Sequence, residues 1–463
     1  MRFRYTYTAM VVVPVIAALS TLLVVRETRR APSEENEKAK KVWSGRSFAN
    51  ETRVERLPQA SSTAPGFDTE RVWSGQDDWE PAIAVDKASS YVYQLTTRFS
   101  GPRPCNSCPL PAIAFRRSAD GGATWSSDSF IYYSNRRQAD PEIEVAAGRI
   151  YAAWLDGWQL MISRSTNHGF SWSTPVAING NGKRPSFADK PIIAVSRNGQ
   201  HVYVGFNSSD SYVAASHDYG KTFAEAVRTS RTDRTWFDTG GAVGPDGSVY
   251  FALTDFANNY QGDSHTQFIK SADRGLTWTT TLVDTSKEVI ECADVPGCYH
   301  GFLGPSVAMA VDVAGQIMVA YHANDVADTP QQMYVRSSFD GLHFSPRRKI
   351  SAPSAAVSNA FPAMAAGVTA GDFRVAWMDD RNGALHTWNT WYRRTTNGGM
   401  TWSAPTRLSN APSGAPYKAQ FGFSFPYGDY FEIAVDSYGT NHLIWGEGIS
   451  YTGPGGSWYT RGQ

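Results

Sequence analysis

The sequence predicts an all-β propeller, most simply of seven four-stranded blades, with a six-bladed ring as the alternative count. Three observations carry this: a turn motif written about six times, a two-strand pattern that recurs once more than the motif, and no long segment with a convincing helical period.

The motif reads Ser-x-Asp-x-Gly-x-Thr-Trp. Its fullest copies run from Ser118 through Asp120, Gly122 and Thr124 to Trp125, and from Ser271 through Asp273, Gly275 and Thr277 to Trp278. Weaker copies run from Ser165 to Trp172, Ser216 to Phe223, Ser338 to Phe344 and Thr395 to Trp402. Each is a turn with a physical basis: Asp or Asn bonds backbone amides, Gly accepts positive φ, and the closing aromatic buries its ring. The strand pattern, typified by Pro81 to Asp86 followed by Tyr91 to Tyr93, recurs at Ile83, Ile143, Ile193, Ala242, Ala310, Met364 and Ile433. The last unit, Phe431–Val435 through Thr460, stops where an outer strand should follow. Either 52–57 or 70–73 would supply that strand and close the ring, removing exposed sheet edges.

The repeated turn resembles the Asp-box of the sialidase-like superfamily, over most of residues 71–463. The resemblance implies that the boxes lie between the third and fourth strands of each blade, on the face opposite the active site, so Asp120 and Asp273 are not expected to be catalytic. It also implies exo-hydrolysis of a terminal acidic sugar, with a tyrosine nucleophile, an aspartic acid/base and three arginines around the substrate carboxylate. Members usually begin their first unit with Phe-Arg-x-Pro. Here Trp79-Glu80-Pro81-Ala82 stands in its place, without the first arginine.

Three regions follow: 1–30 as a signal anchor or signal peptide, 31–70 as a polar tether with a possible closing strand, and 71–463 as the propeller. Ala9 to Val25 is almost wholly apolar and is flanked by Arg2, Arg4, Arg26, Arg29 and Arg30, the pattern of a membrane anchor. The propeller is therefore expected outside the cytoplasmic membrane, anchored there or secreted after cleavage. Lys plus Arg and Asp plus Glu each total 43, so no charge excess points to nucleic acid. Cys105 with Cys108, and Cys292 with Cys298, each lie in one polar loop; two local disulfides are expected, with a four-thiolate zinc site as the alternative. No metal motif or phosphate loop is present, and no cofactor is expected.

Aligning the inner strands places Glu80, Asp140, Lys190, Asp238, Ser306, Phe361 and Tyr430 in one column, expected to ring the channel mouth. Converging carboxylates shift one another's pKa values towards catalytic usefulness. Asp77, Asp78, Asp189, Arg234, Tyr299, His300, Tyr427, Asp429 and Arg381 are expected nearby. Catalytic candidates are Asp140, Tyr430, Glu80 and Asp238; substrate-binding candidates are Lys190, Arg234, Arg381, Tyr299, Tyr427 and Asp429. On the resemblance, Tyr430 or Tyr427 is the nucleophile and Asp140 the acid/base. A second enzyme reading uses two ring carboxylates on a neutral glycan, with Trp79, Trp236, Tyr299, Phe361 or Trp388 stacking on sugar. The competing class is a noncatalytic propeller that binds a glycan or a protein.

Overall fold

The computed structural model describes residues 64–463 apart from 180–184, 186, 232, 259, 289–303, 383–386, 412–413, 417–430 and 449–454. The apolar run at 9–25, the alternative closing strand at 52–57 and the second cysteine pair lie outside the described residues.

Seven antiparallel sheets are arranged one after another along the chain. Their inner strands are Asp78–Val85, Gln138–Ala146, Asp189–Val195, Thr235–Val243, Val307–Val311, Asn359–Ala366 and Phe431–Val435, which define blades 1 to 7. This sets aside the six-bladed alternative. Blade 7 takes its outer strand from the other end of the described chain: Arg71–Val72 pairs with Gly455–Gly462, in register Arg71 with Tyr459 and Val72 with Trp458. The core lies between neighbouring blades. Trp154, Trp377 and Trp445, on the second strands of blades 2, 6 and 7, are completely buried there.

The repeated turn folds as the sequence predicts. In the first copy the Ser118 hydroxyl donates to Asp120 at 2.7 Å and accepts from the Gly122 amide at 2.8 Å. Asp120 in turn accepts from the Thr124 amide at 2.8 Å and the Thr124 hydroxyl at 2.6 Å. The same bonds recur around Asp273, whose pKa the Thr277 hydroxyl and amide hold down to about 2. With their oxygens satisfied inside the turn, these aspartates are structural. The closing aromatic reaches the preceding blade: Trp172 meets Phe115 edge-on at 5.3 Å, and Phe344 meets Phe268 at 5.2 Å.

At Gly169 the turn needs glycine twice over. Its φ is +75°, and a Cβ there would sit 2.5 Å from the Phe115 ring. Gly169→Ala is expected to lower unfolding free energy by about 2–4 kcal/mol, combining left-handed strain with overpacking. A denaturant midpoint unchanged from the parent would refute that account.

A second repeated device lies at the other end of the inner strands. Pairing with the second strand slips between Trp79 and Ala82, Ala139 and Glu142, Asp189 and Ile192, Asp238 and Gly240, and Ala360 and Ala363. In blades 1, 2, 3 and 6 the slip contains a proline, which has no N–H to give to a ladder and is accommodated at a bulge. The residue before it takes left-handed backbone: Glu80, Asp140, Lys190 and Phe361 have φ of 52°, 53°, 45° and 50°. Because the bulge recurs in place, the five-residue spacing of the aligned column holds in these blades.

The inner strands present edge amides to the channel, and side chains of the preceding blade cap some of them. Glu80 accepts from the Asp140 amide at 3.1 Å, Glu432 from the Ile83 amide at 2.5 Å, and Thr239 from the Val307 amide at 3.4 Å. Glu142 likewise accepts from Ile193. Cys105 and Cys108 form the expected disulfide, with Cα atoms 5.0 Å apart.

Candidate functional site

The bulges stand where the chain enters each inner strand, at the end of the channel opposite the Asp-boxes. Non-glycine residues held at positive φ cost on the order of 1–3 kcal/mol each, and such strain concentrates at functional sites. Glu80, Asp140, Lys190 and Phe361 share this conformation while differing in chemistry: two carboxylates, an ammonium and an aromatic ring. Blades 1 to 3 bring Glu80, Asp140 and Lys190 to successive positions around one rim.

Glu80 is buried and accepts from the Thr97 hydroxyl at 2.6 Å as well as from the Asp140 amide. The Asp140 side chain is also buried, and Lys190 is partly exposed, its amide bonded to Asp189 at 3.1 Å. Asp238 lies deeper, within reach of blade 3. It accepts from Ser211 at 2.7 Å through one oxygen, while its other buried oxygen has no partner. Burial pushes its pKa up to about 7. At the column position of blade 5, the Ser306 amide donates to His322 Nε2 at 2.9 Å, with the Ser306 hydroxyl 3.0 Å away. Burial lowers the His322 pKa to about 4, so the ring is a neutral acceptor that braces the loop.

The two arginines among the substrate-binding candidates are already engaged. Arg234 pairs with buried Asp255 and donates to the Asp263 carbonyl at 2.6 Å. Arg381 bonds both oxygens of Asp379 through Nε at 2.9 Å and stacks on Trp391 at 3.8 Å. Asp78 is consumed by Arg98, while Asp77 accepts from Trp79 Nε1 at 2.8 Å and from the Gly455 amide at 2.9 Å. Tyr299, His300, Tyr427, Asp429 and Tyr430 lie outside the described residues. Of the stacking candidates, Trp79, Trp236 and Trp388 are core residues, and Phe361 is partly buried.

Sequence reading missed two features. The first is Trp158, in the loop joining the second and third strands of blade 2, which is 47% exposed at the mouth. Its loop is fixed: the Trp158 carbonyl accepts from the Ala188 amide and from Asn179 Nδ2, each at 3.2 Å, and Gly157 donates to the Arg137 carbonyl at 2.8 Å. Phe187 stands edge-on to the indole at 6.5 Å, and Asp189 and Lys190 follow directly. The Asp156-Gly157-Trp158 turn was a signal in sequence, but a tryptophan in an all-β chain reads first as core.

The second is a cavity of about 610 Å³ in the channel, beyond the bulges towards the box side, lined by Glu142, Glu144 and Glu432. Burial and the proximity of Glu432 raise the Glu142 pKa well above the ordinary range, the two carboxyls being hydrogen-bonded. Burial raises Glu144 to about 7. Among the described residues, no group of three or more metal-ligating side chains is placed to hold a metal ion.

The seven-bladed propeller that the repeated turn and strand pattern imply is the fold the chain has. No family model and no curated protein matches it. Among solved structures, the chain is similar to a Dyadobacter fermentans protein of unknown function at 14% identity and TM-score 0.49, covering 86% of this chain and 99% of that one. It is similar to YCF48 from Cyanidioschyzon merolae at 13% identity and TM-score 0.47, covering 86% and 99%. It is also similar to a leech intramolecular trans-sialidase complexed with 2,7-anhydro-Neu5Ac, at 12% identity and TM-score 0.43, covering 80% and 65%. At these identities and TM-scores the likenesses carry no argument about what the chain does.

Proposed function

We propose that the protein is an extracytoplasmic, glycan-recognising propeller, held at a membrane through residues 9–25, with its ligand at the channel mouth over blades 1 to 3. The observation that carries this reading is Trp158, an exposed indole on a braced loop beside Asp189 and Lys190. A rigid aromatic face next to a few fixed polar groups is the composition of a small-ligand site. The strained rim residues Glu80 and Asp140 supply the carboxyl groups that would meet sugar hydroxyls.

The finer reading is glycoside hydrolysis. Glu80 and Asp140 are two carboxyls at matching rim positions of adjacent blades, the pair of groups that glycoside hydrolysis uses. The engagement of Arg234 and Arg381 weighs against a sialoside clamp and favours a substrate without a carboxylate. A binding-only reading is favoured by the double engagement of Glu80, whose Oε2 already serves Thr97 and the neighbouring blade.

A panel of chromogenic glycosides, sialosides included, separates these readings when run beside a glycan-binding assay. Hydrolysis that falls at least ~100-fold in both Glu80→Gln and Asp140→Asn would support the two-carboxylate enzyme. Release of sialic acid lost in Tyr430→Phe would instead support the sialidase chemistry. Turnover of no glycoside, with retained glycan binding, would leave the binding reading. Trp158→Ala is expected to weaken glycan affinity about 30-fold, the effect of truncating an aromatic hot spot, without lowering the melting temperature. Equal affinity in this variant would remove Trp158 from the site.

A further inference from the structure

The face opposite the mouth carries most of the large apolar side chains that the described residues leave exposed. Four of them occupy one position of the repeat, the residue after the box glycine: Phe170, Leu276 and Met400 are 65%, 72% and 65% exposed, and Leu342 is 43% exposed. Phe339, at 72%, stands in the same turn as Leu342, and Tyr438, at 80%, lies in an inner turn on the same side. The position that follows the glycine points away from the blade, because the turn closes on its Ser, Asp and Thr side chains behind it. Nothing in the turn requires an apolar residue there.

The described chain also begins on this face. The Phe67 amide bonds the Ala64 carbonyl at 2.9 Å, and the Gln463 amide bonds the Gly66 carbonyl at 3.0 Å. Arg461 joins this edge to the first box, pairing with Asp68 at 2.7 Å and donating to the Gly121 carbonyl. The described chain therefore starts beside the boxes and not beside the mouth, with residues 26–63 of the sequence between that point and the apolar run at 9–25. A link of that length would reach well over 100 Å if extended, so it does not itself force contact. The repeated apolar positions supply a reason for it. Basic side chains stand there too: Lys221 and Arg274 occupy exposed box positions, beside box aspartates whose carboxylates are held by amides of their own turns.

We propose that the Asp-box face docks on the surface of a phospholipid bilayer, with the apolar box residues at the headgroup boundary and the channel mouth directed away from it. Shallow apolar insertion aided by basic side chains is how proteins lie on anionic lipid surfaces. This rests on the membrane reading of residues 9–25, and the experiment keeps the two apart.

The full chain is reconstituted into vesicles of phosphatidylcholine, with and without phosphatidylglycerol, carrying the photoreactive residue p-benzoylphenylalanine at 276, 400 or, on the mouth face, 158. Irradiation is followed by an alkaline wash. Lipid adducts at 276 and 400 but not at 158, with higher yield on phosphatidylglycerol vesicles, are the expected result. Adducts lost in a Lys221→Glu, Arg274→Glu chain on those vesicles would support the basic contribution. Retention through the wash without adducts at 276 or 400, or equal adducts at 158, overturns the docking while the anchor stands. Adducts at 276 and 400 on chains that wash off uphold the docking and end the anchor reading. Cross-linked pairs of chains in place of lipid adducts overturn the proposal and assign the face to a second copy.

Discussion

Between about pH 6.5 and pH 8 the folded protein is expected to lose stability, because it buries carboxyl groups that keep their protons where the unfolded chain has released them. Burial raises Asp238 and Glu144 to about 7 each. It also raises the hydrogen-bonded pair Glu142 and Glu432, and Glu70 beside Glu447. A raised folded-state value gives a contribution that is complete below the unfolded pKa and is lost as the pH climbs through the folded one. The loss is about 1.4 kcal/mol per pH unit for each extra proton held by the native state.

Asp238 alone is expected to cost about 4 kcal/mol once fully ionised, since it is almost completely buried. His322 works in the opposite direction. Its folded value of about 4 means that stability is gained as the pH rises towards 6.5, so the decline is clean only above that point. Urea denaturation across this range would show it, and Asp238→Asn and Glu142→Gln should each flatten the slope. A profile that is level or rising from pH 6.5 to 8 would show that the channel hydrates these groups instead.

Arg98→Met is expected to lower unfolding free energy by about 3–5 kcal/mol, the cost of leaving a buried charge without its partner. The Arg98 guanidinium is 1% exposed and bonds Asp78 at 2.8 and 3.0 Å and Asp128 at 2.7 Å. Asp78 is completely buried, so its carboxylate would face an apolar methionine. The same cluster reaches the strand that closes the ring, because Trp73 Nε1 donates to Asp128 at 2.8 Å. Combining Arg98→Met with Asp78→Asn should therefore cost less than the two single losses added together. Strict additivity would mean that the pair contributes nothing as a pair.

Much of this architecture could be read from the sequence, because a repeat states the same local solution several times. The Ser118–Trp125 and Ser271–Trp278 turns, the seven inner strands and the closing role of residues 70–73 all follow from spacing and turn chemistry. The site was less legible for physical reasons. Arg234 and Arg381 look like free cations in sequence, and only the fold supplies Asp255 and Asp379 as their partners. Trp79 and Trp158 are the same residue type, one on an inner strand and one in a turn, yet nothing in the sequence says that the first is core and the second stands in solvent. The channel glutamates stayed hidden because Glu142 and Glu432 belong to strands that read as alternating, and the chain says nothing directly about which edge faces a channel. The prolines at 81, 141, 191 and 362 were the available sign of a repeated bulge.

The two-residue strand Arg71–Val72 meets partners about 390 residues further along the chain. Closing so large a loop in one step would cost several kcal/mol more in chain entropy than closing a hairpin, by the logarithmic law of loop length. Once six blades have stacked, however, most of that loop is already ordered, and the remaining gap is short. The contact most remote in sequence thus becomes among the easiest to make, provided it is made last. Ring completion would then convert a row of locally folding hairpins into a single cooperative unit, in which no blade opens without exposing the faces of its neighbours.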